Sequence, residues 1–441
     1  MLMKRTEISQ LKLNINNSTK IQGWIQSIRD KGKIQFIVIR DHSGTVQAIL
    51  ERAENPGLAD VIAKLTSETA VTVVGKVCEN PHVKMGGIEI QLKELHVENH
   101  SESPLPYDLF GKIKPELDFR INWRYLDLRI PENNLIFKVQ TLIEMSMREF
   151  WIKDGFIEIH SPKLMGTPSE SGAELFKVPY FEKTAYLAQS PQFYKQMAMA
   201  AGFNKVFEIG PVFRANPSFT SRHDTEFTSV DVEISWIDSH EDIMSFEEKW
   251  IKYILLKIKE NFGKEIFAKF GVEVEVPDIP FPRISMKEAI KILQKEGYSL
   301  PTENKEDLDP NGERLLCKFI KEKYNHDFIF LTDYPVSVRP FYHMRHSSNS
   351  LLTKSFDLLW KGLEITTGAQ REHRYKVLAQ QALEKGLHLE PIQFYLDFFK
   401  HGCPPHGGFG FGLTRMLMIL LNIKNVREVT FIYRGPNRLF P

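Results

Sequence analysis

Residues 213–227 read FRANPSFTSRHDTEF. This stretch holds two arginines, a histidine and two acids, with almost no bulky aliphatic side chain. It lies between KVFEIGPV (205–212) and TSVDVEISW (228–236), which alternate apolar and polar residues with the period of half-buried strands. A hairpin on these strands brings Arg214, at the end of the first, to one mouth with Arg222 and His223, at the start of the second. Guanidinium forks match phosphate or carboxylate oxygens two at a time, so the loop reads as an anion receptor, with a solvated charged hairpin as the plain alternative. Phe227, four residues after His223, returns into the sheet with a ring face available to stack on a base.

The rest of the chain limits what that anion can be. Its 441 residues suffice for two or three domains, and 26% charged, 42% hydrophobic and 11% aromatic residues describe an ordinary globular protein. Fifty-seven basic against fifty-six acidic side chains give no global attraction to nucleic acid or membrane. The first 40 residues are locally basic, with eight Lys or Arg against Glu7 and Asp30, which fits a phosphate-facing patch or a solvated surface. Cys78, Cys317 and Cys403 fit neither a disulfide framework nor a zinc ribbon. Without a signal-like start or a run near the roughly 18 apolar residues of a membrane span, a cytoplasmic protein is expected, with no membrane partner. GxxxxGK[ST] is absent, and GGFGFG (407–412) lacks the dinucleotide-binding spacing, so any nucleotide is held by other means.

From residue 20, KIQGWIQSIRDKGKIQFIVIRDHSGTVQAIL reads as three strands broken by two turns. A short helical segment (PGLADVIAKLT) and two more strands (AVTVVGKVCE, GIEIQLKELHVE) follow. Five strands with a helix after the third is the order of an OB-fold β-barrel, placed at 1–100. Residues 101–132 are Pro-punctuated and read as a hinge. From 133 to 441, helical and strand patterns mix as in an α+β domain on an antiparallel sheet. They include a helix ending at Gly155, a strand in FIEIHSP, a long amphipathic helix over 241–261 and a helix over 373–386.

Three further groups could carry chemistry. In GGFGFGLTR, glycines at 408, 410 and 412 leave one strand face bare ahead of Arg415, which suits either a flat ligand or close helix-to-sheet packing. In LEITTGAQRE, Glu364 and Thr367 could offer a carboxylate and a hydroxyl to a hard cation such as Mg²⁺, and Arg371 adds an anion receptor. In SESGAELF and LAQSPQFYKQ, Glu170 could accept from an ammonium, while Gln192 and Lys195 share a helical spacing. Taken singly, Glu170 and Lys195 read more readily as surface charges.

Together these segments resemble the class II aminoacyl-tRNA synthetases, and within them the aspartate group of archaeal and eukaryotic type. KDGFIEIHSP resembles motif 1, FRANPSFTSRHDTEFTSVD motif 2, and GFGFGLTR motif 3, in order along nearly the whole chain. The resemblance implies an ATP-dependent ligase that forms aspartyl-adenylate and transfers aspartate to the 3′ end of tRNA-Asp, with Mg²⁺ as cofactor. It implies that Arg214 and Arg415 are catalytic, on the α- and γ-phosphates. Asn216, Arg222, His223, Asp224, Phe227, Glu364 and Gly412 complete an ATP site, with Glu364 and Thr367 toward the metal. L-aspartate falls to Glu170, Gln192, Lys195, Arg214, Asp231, Thr367 and Arg371. Phe36 and Gln47 match anticodon-reading positions of the barrel, and a homodimer forms through motif 1 around Pro162.

Four positions depart from the pattern. Asn216 stands where Glu is usual, Thr414 where an acid is common, and Gln26 and Met85 where strictly tRNA-Asp-selective archaeal enzymes carry Trp and Lys. They leave open a non-discriminating enzyme that also charges tRNA-Asn, and a catalytically silent tRNA-binding paralogue. A tRNA-independent asparagine synthetase would leave the barrel without a task.

Overall fold

The computed structural model describes residues 3–168, 174–217, 220–300 and 306–441. Two compact units divide the chain, Met1–Asn134 and Leu135–Pro441.

In the first unit, β1 (Ser18–Asp30), β2 (Ile34–Arg40), β3 (Thr45–Glu51), β4 (Ala70–Glu79) and β5 (Ile88–Asn99) close a barrel in the order β1-β2-β3-β5-β4, with helix Pro56–Ile62 after the third strand, as expected of an OB-fold. Alternate residues such as Ile21, Ile25, Ile37, Ile39 and Val73 fill its interior. Gly75 sits at a register shift of β4, where a Cβ would lie 2.2 Å from the Gln91 carbonyl; only glycine lets the strands approach so closely there. Residues 101–132 belong to this unit and carry two short helices, Leu117–Asn122 and Arg124–Asp127. The buried Asp127 carboxylate accepts from Arg120 Nε at 2.8 Å and Arg124 Nη1 at 2.6 Å, and Arg129 pairs with buried Glu68 at 2.7 Å. Buried Leu109, Ile121, Leu126 and Ile130 join these ion pairs in ordering the segment.

In the second unit the strands are β6 (Ile157–Glu158), β7 (Leu164–Met165), β8 (Lys177–Tyr180), β9 (Lys183–Leu187), β10 (Lys205–Phe213), β11 (Glu226–Ser235), β12 (Arg283–Ser285), β13 (Phe328–Thr332), β14 (Ser355–Trp360), β15 (Leu363–Gln370) and β16 (His406–Gly412). Eight of them form one sheet, β12-β13-β14-β15-β16-β11-β10-β6, antiparallel except at its two edge pairs; β7, β9 and β8 form a small second sheet. FIEIHSP yields only the two residues of β6. The helix expected over 241–261 spans His240–Phe270, opened by a Ser239–Asp242 capping box and ended at Gly271 with φ 67°. Gly263 inside it does not break it, because the apolar face continues to buried Ile266. Trp151 and Trp250 stack at 5.1 Å, and Trp250 meets Phe409 and Phe411 of β16. Since strand side chains alternate, Phe409 and Phe411 facing this core turn Gly408, Gly410 and Gly412 to the opposite face. On that face Asp231, Gly410, Thr367 and Asp357 lie side by side across β11, β16, β15 and β14.

Candidate active site

Above this row lies a cavity of 380 Å³ lined from the loop ends of β10 and β11, from helix Gln192–Ala200, and from β15 and β16. The hairpin inferred from FRANPSFTSRHDTEF is present: Phe213 pairs with Glu226, and the Arg214 amide donates to the Thr225 carbonyl at 2.9 Å. Arg214 lies over the Phe227 ring at 5.4 Å, and Asn216, Arg222 and His223 line the same wall. Burial, then the nearby Arg415 charge, pushes the His223 imidazole below its ordinary pKa, so three guanidiniums and a neutral ring face one volume. The Asp224 carboxyl is pushed up to about 7 by burial, and Thr430 Oγ1 donates to it at 3.2 Å.

Glu364 and Thr367 are three residues apart and would face opposite ways on a regular strand. A register shift between Leu358 and Leu359 of the partner strand, where Leu359 pairs with Glu364 and Leu358 with Thr366, adds a residue to β15 and resets its alternation. Thr367 Oγ1 then donates to Glu364 Oε1 at 3.2 Å, and Arg415 Nη1 donates to the Glu364 carbonyl at 2.9 Å and to Oε1 at 3.1 Å. A carboxylate and a hydroxyl supply the hard oxygen donors Mg²⁺ prefers. The other grouping among the described residues that could hold a metal, His240, Asp333 and His346, lines no part of the cavity, and its His346 Nε2 already meets Asp333 at 2.8 Å.

Deeper in, Lys195 is almost wholly buried. Its Nζ donates to Asp231 Oδ1 at 3.0 Å and to the Phe409 carbonyl at 3.1 Å, and lies 3.4 Å from Glu233 Oε2. Arg371 grips the same Glu233 with a fork, Nε to Oε1 at 3.0 Å and Nη2 to Oε2 at 3.3 Å, and also donates to the Gly408 carbonyl at 3.0 Å. Burial alone raises the pKa of Glu233, but Arg371 and Lys195 outweigh it and hold the carboxyl below its ordinary value. Glu233 lies across Gly408, where a Cβ would come within 2.3 Å of its Oε2 and 2.0 Å of the Val232 carbonyl. The three glycines therefore divide between the two readings of the sequence: Gly408 serves close packing, whereas Gly410 and Gly412 line the cavity with bare backbone.

Gln192 also lines the cavity, its amide donating to Gln196 Oε1 at 2.8 Å. Glu170 lies outside the described residues. In the first unit, Phe36 and Gln47 line one 510 Å³ groove together with Met85, and Gln47 Nε2 donates to Glu89 Oε2 at 3.2 Å; Gln26 is not part of that groove.

Several of these residues are marked by no sequence motif. Glu233 stands two after Asp231 and so on the same strand face, a signal that was present. Glu313 reads as a surface helix residue, yet it is mostly buried 3.7 Å from Arg222, and burial, then the Glu364 charge, pushes its carboxyl up to about 8. Arg339 and His343 lie in the stretch to about 340 and just beyond it, where no motif marks them. Arg339 is buried over the Tyr334 ring at 3.5 Å, pairs with Asp357 at 2.7 Å and reaches the cavity wall. Lys195 and Arg371 thus each meet a carboxylate within the protein.

Residues 116–433 match the family model of tRNA synthetases class II (D, K and N), and residues 19–98 that of the OB-fold nucleic acid binding domain. The chain belongs to the class II tRNA synthetases of the D, K and N group. This synthetase is 43% identical over 429 residues to an aspartate–tRNA(Asp/Asn) ligase of Aeropyrum pernix, covering 97% of this chain and 96% of the relative. It is 44% identical over 423 residues to an aspartate–tRNA(Asp) ligase of Pyrococcus abyssi, covering 96% of each. Among solved structures, the synthetase superimposes on an asparaginyl-tRNA synthetase of Pyrococcus horikoshii complexed with asparaginyl-adenylate, with a TM-score of 0.92, 31% identity and full coverage of both chains. An aspartyl-tRNA synthetase of Entamoeba histolytica gives 0.89 at 32% identity, covering 100% of this chain and 93% of the other.

Proposed function

We propose that this synthetase is an aspartate–tRNA ligase: it joins L-aspartate to the α-phosphate of ATP with release of pyrophosphate, then transfers the aspartyl group to the 3′ end of tRNA-Asp with release of AMP. The observation that carries this reading is the placement of two buried cations, Lys195 and Arg371, in the same cavity as Arg214, Arg222 and Arg415. Arg371 touches the backbone at Gly408 and Arg415 lies beside Gly412, four residues along β16, or about 13 Å. That span suits an amino-acid side chain at one end and a polyphosphate at the other.

In this assignment Lys195 and Arg371, oriented by Asp231 and Glu233, receive the side-chain carboxylate, and Gln192 with Glu170 receives the α-amino group. Arg214 holds the α-carboxylate against the α-phosphate, and the adenine stacks on Phe227, with Asn216 at its amino edge. Arg222, His223 and Asp224 border the phosphates, and Arg415 takes the γ-phosphate. Glu364 and Thr367 would hold Mg²⁺, which when bound supplies positive charge to the phosphate oxygens. The carboxylate itself is the nucleophile, so the protein need only align it in line and stabilise charge with fixed donors. Aspartate-dependent ATP–pyrophosphate exchange tests the reading, and its absence would refute it. Arg214, Glu364 and Arg415 all lining one cavity weighs against a catalytically silent paralogue.

The barrel over 1–100 is assigned to the anticodon, with Phe36 and Gln47 in its groove and residues 101–132 leading to the catalytic domain at 133–441. A homodimer through motif 1 near Pro162 is supported by the exposed apolar side chains of Met145, Ile152, Ile157 and Leu164. A cytoplasmic location accords with the described residues holding no helix long and apolar enough to cross a membrane. A second reading, a non-discriminating enzyme that also charges tRNA-Asn, is favoured by Gln26 and Met85 and by the name of the Aeropyrum relative.

A further inference from the structure

We propose that His343 is a positioning residue of the amino-acid site: it accepts a hydrogen bond from Arg371 and fixes that guanidinium for the side-chain carboxylate of the substrate. The inference rests on the reading of Arg371 as a substrate-binding cation.

Arg371 Nη1 and His343 Nε2 are 3.1 Å apart, and both residues are buried. A guanidinium can only donate, so Nε2 must be the unprotonated acceptor and the ring proton sits on Nδ1. The electrostatics agree: burial, then the charge of Arg371, depresses the His343 pKa well below its ordinary value, so the ring stays neutral beside the cation. Glu233 and the Gly408 carbonyl hold the Nε and Nη2 edge of Arg371, and His343 meets its Nη1.

His343 is itself held rigidly. It forms an antiparallel bridge with Arg371, flanked by the Met344 amide donating to the Gln370 carbonyl at 3.0 Å and the Glu372 amide donating to the Tyr342 carbonyl at 2.9 Å. The buried Gln381 amide donates to the His343 carbonyl at 3.1 Å. Nδ1 is buried with no hydrogen-bond partner among the described residues, and His343 lines the cavity. A histidine kept only to fill the core would have no reason to present one nitrogen to a substrate-binding cation while leaving the other unsatisfied. The ring thus adds an acceptor to the amino-acid site without adding a charge.

The test is ATP–pyrophosphate exchange with aspartate and with asparagine, on the full chain and on His343→Ala, His343→Phe and His343→Gln. Losing a charge-assisted hydrogen bond should raise the aspartate KM about 10-fold or more in the Ala and Phe variants, with kcat and the ATP KM within roughly twofold. The Phe variant retains a ring in the wall, so it reports on the acceptor even if the Ala variant fails to fold. Gln, whose amide oxygen reaches a similar point, should recover most of the loss. The proposal is overturned if the aspartate KM is unchanged in Phe, if the aspartate and ATP constants rise together, or if Gln is as impaired as Phe. Absence of aspartate-dependent exchange in the unaltered protein would instead remove the reading of the site, and this inference with it.

Discussion

Replacing Glu233 by Gln keeps the shape of a fully buried side chain and removes its charge. The carboxylate receives the Nε and Nη2 donors of Arg371, at 3.0 and 3.3 Å, and lies 3.4 Å from Lys195, all buried from solvent. An amide offers one acceptor oxygen where two were used and turns an NH₂ group toward a cation. Breaking one partner of a buried pair costs about 3–5 kcal/mol, because a charge is left uncompensated. For the catalytic unit Leu135–Pro441 that corresponds to a fall of roughly 5–8 °C in its calorimetric transition.

The pH dependence gives an independent check. Glu233 has its folded pKa depressed below 4.5, so its stabilisation is present above that pH and is lost as pH falls through the depressed value. The gap between the two proteins should therefore be widest near neutrality and close in acid. Aspartate KM should rise in the variant, since Arg371 loses its anchor. A variant within about 1 kcal/mol of the parent, with a gap independent of pH, would refute the view of Glu233 as a charged anchor.

Arg214→Ala should lower kcat/KM for adenylate formation by roughly 100- to 1,000-fold, or ~3 kcal/mol or more, as for removal of one oxyanion donor; near-parental exchange would sink its assignment. Asn216→Glu should lower the ATP KM if residue 216 meets the adenine amino group, and an unchanged KM would count against that placement. Asp224, with its carboxyl raised to about 7, contributes stability that is full below its ordinary 3.8 and lost as pH rises through about 7. Asp224→Asn should therefore gain in melting temperature over the parent at about pH 8.5 but not at about pH 4, and equal differences at both would refute a buried neutral acid. Phe36→Ala should weaken tRNA charging through lost base stacking of about 1–3 kcal/mol while leaving pyrophosphate exchange unchanged; an unaffected tRNA KM would remove it from the anticodon site.

Residues with a local pattern were legible in the sequence, and residues defined by distant partners were not. The motif 2 hairpin could be read because its strands alternate and its arginines flank one turn; the barrel could be read because five runs and one helix come in order. Glu364 and Thr367 pair in the sequence by donor type and closeness, whereas the geometry depends on an extra residue in β15 that no period announces. The ordering of residues 101–132 escaped because Arg120, Arg124 and Asp127 look like surface charges until they meet in the interior. Glu233, Glu313 and His343 share that problem: a buried polar residue carries its meaning in its partners, and those lie up to 138 residues away in sequence, as between Glu233 and Arg371.

The central claim is tested most directly by offering aspartate and asparagine in ATP–pyrophosphate exchange and then charging purified tRNA-Asp and tRNA-Asn with labelled aspartate. Exchange with aspartate is expected to be strongly preferred over asparagine, with aspartyl-tRNA-Asp as product and label on tRNA-Asn marking the non-discriminating form. Exchange driven by asparagine, or no aspartyl-tRNA from either substrate, would contradict that claim.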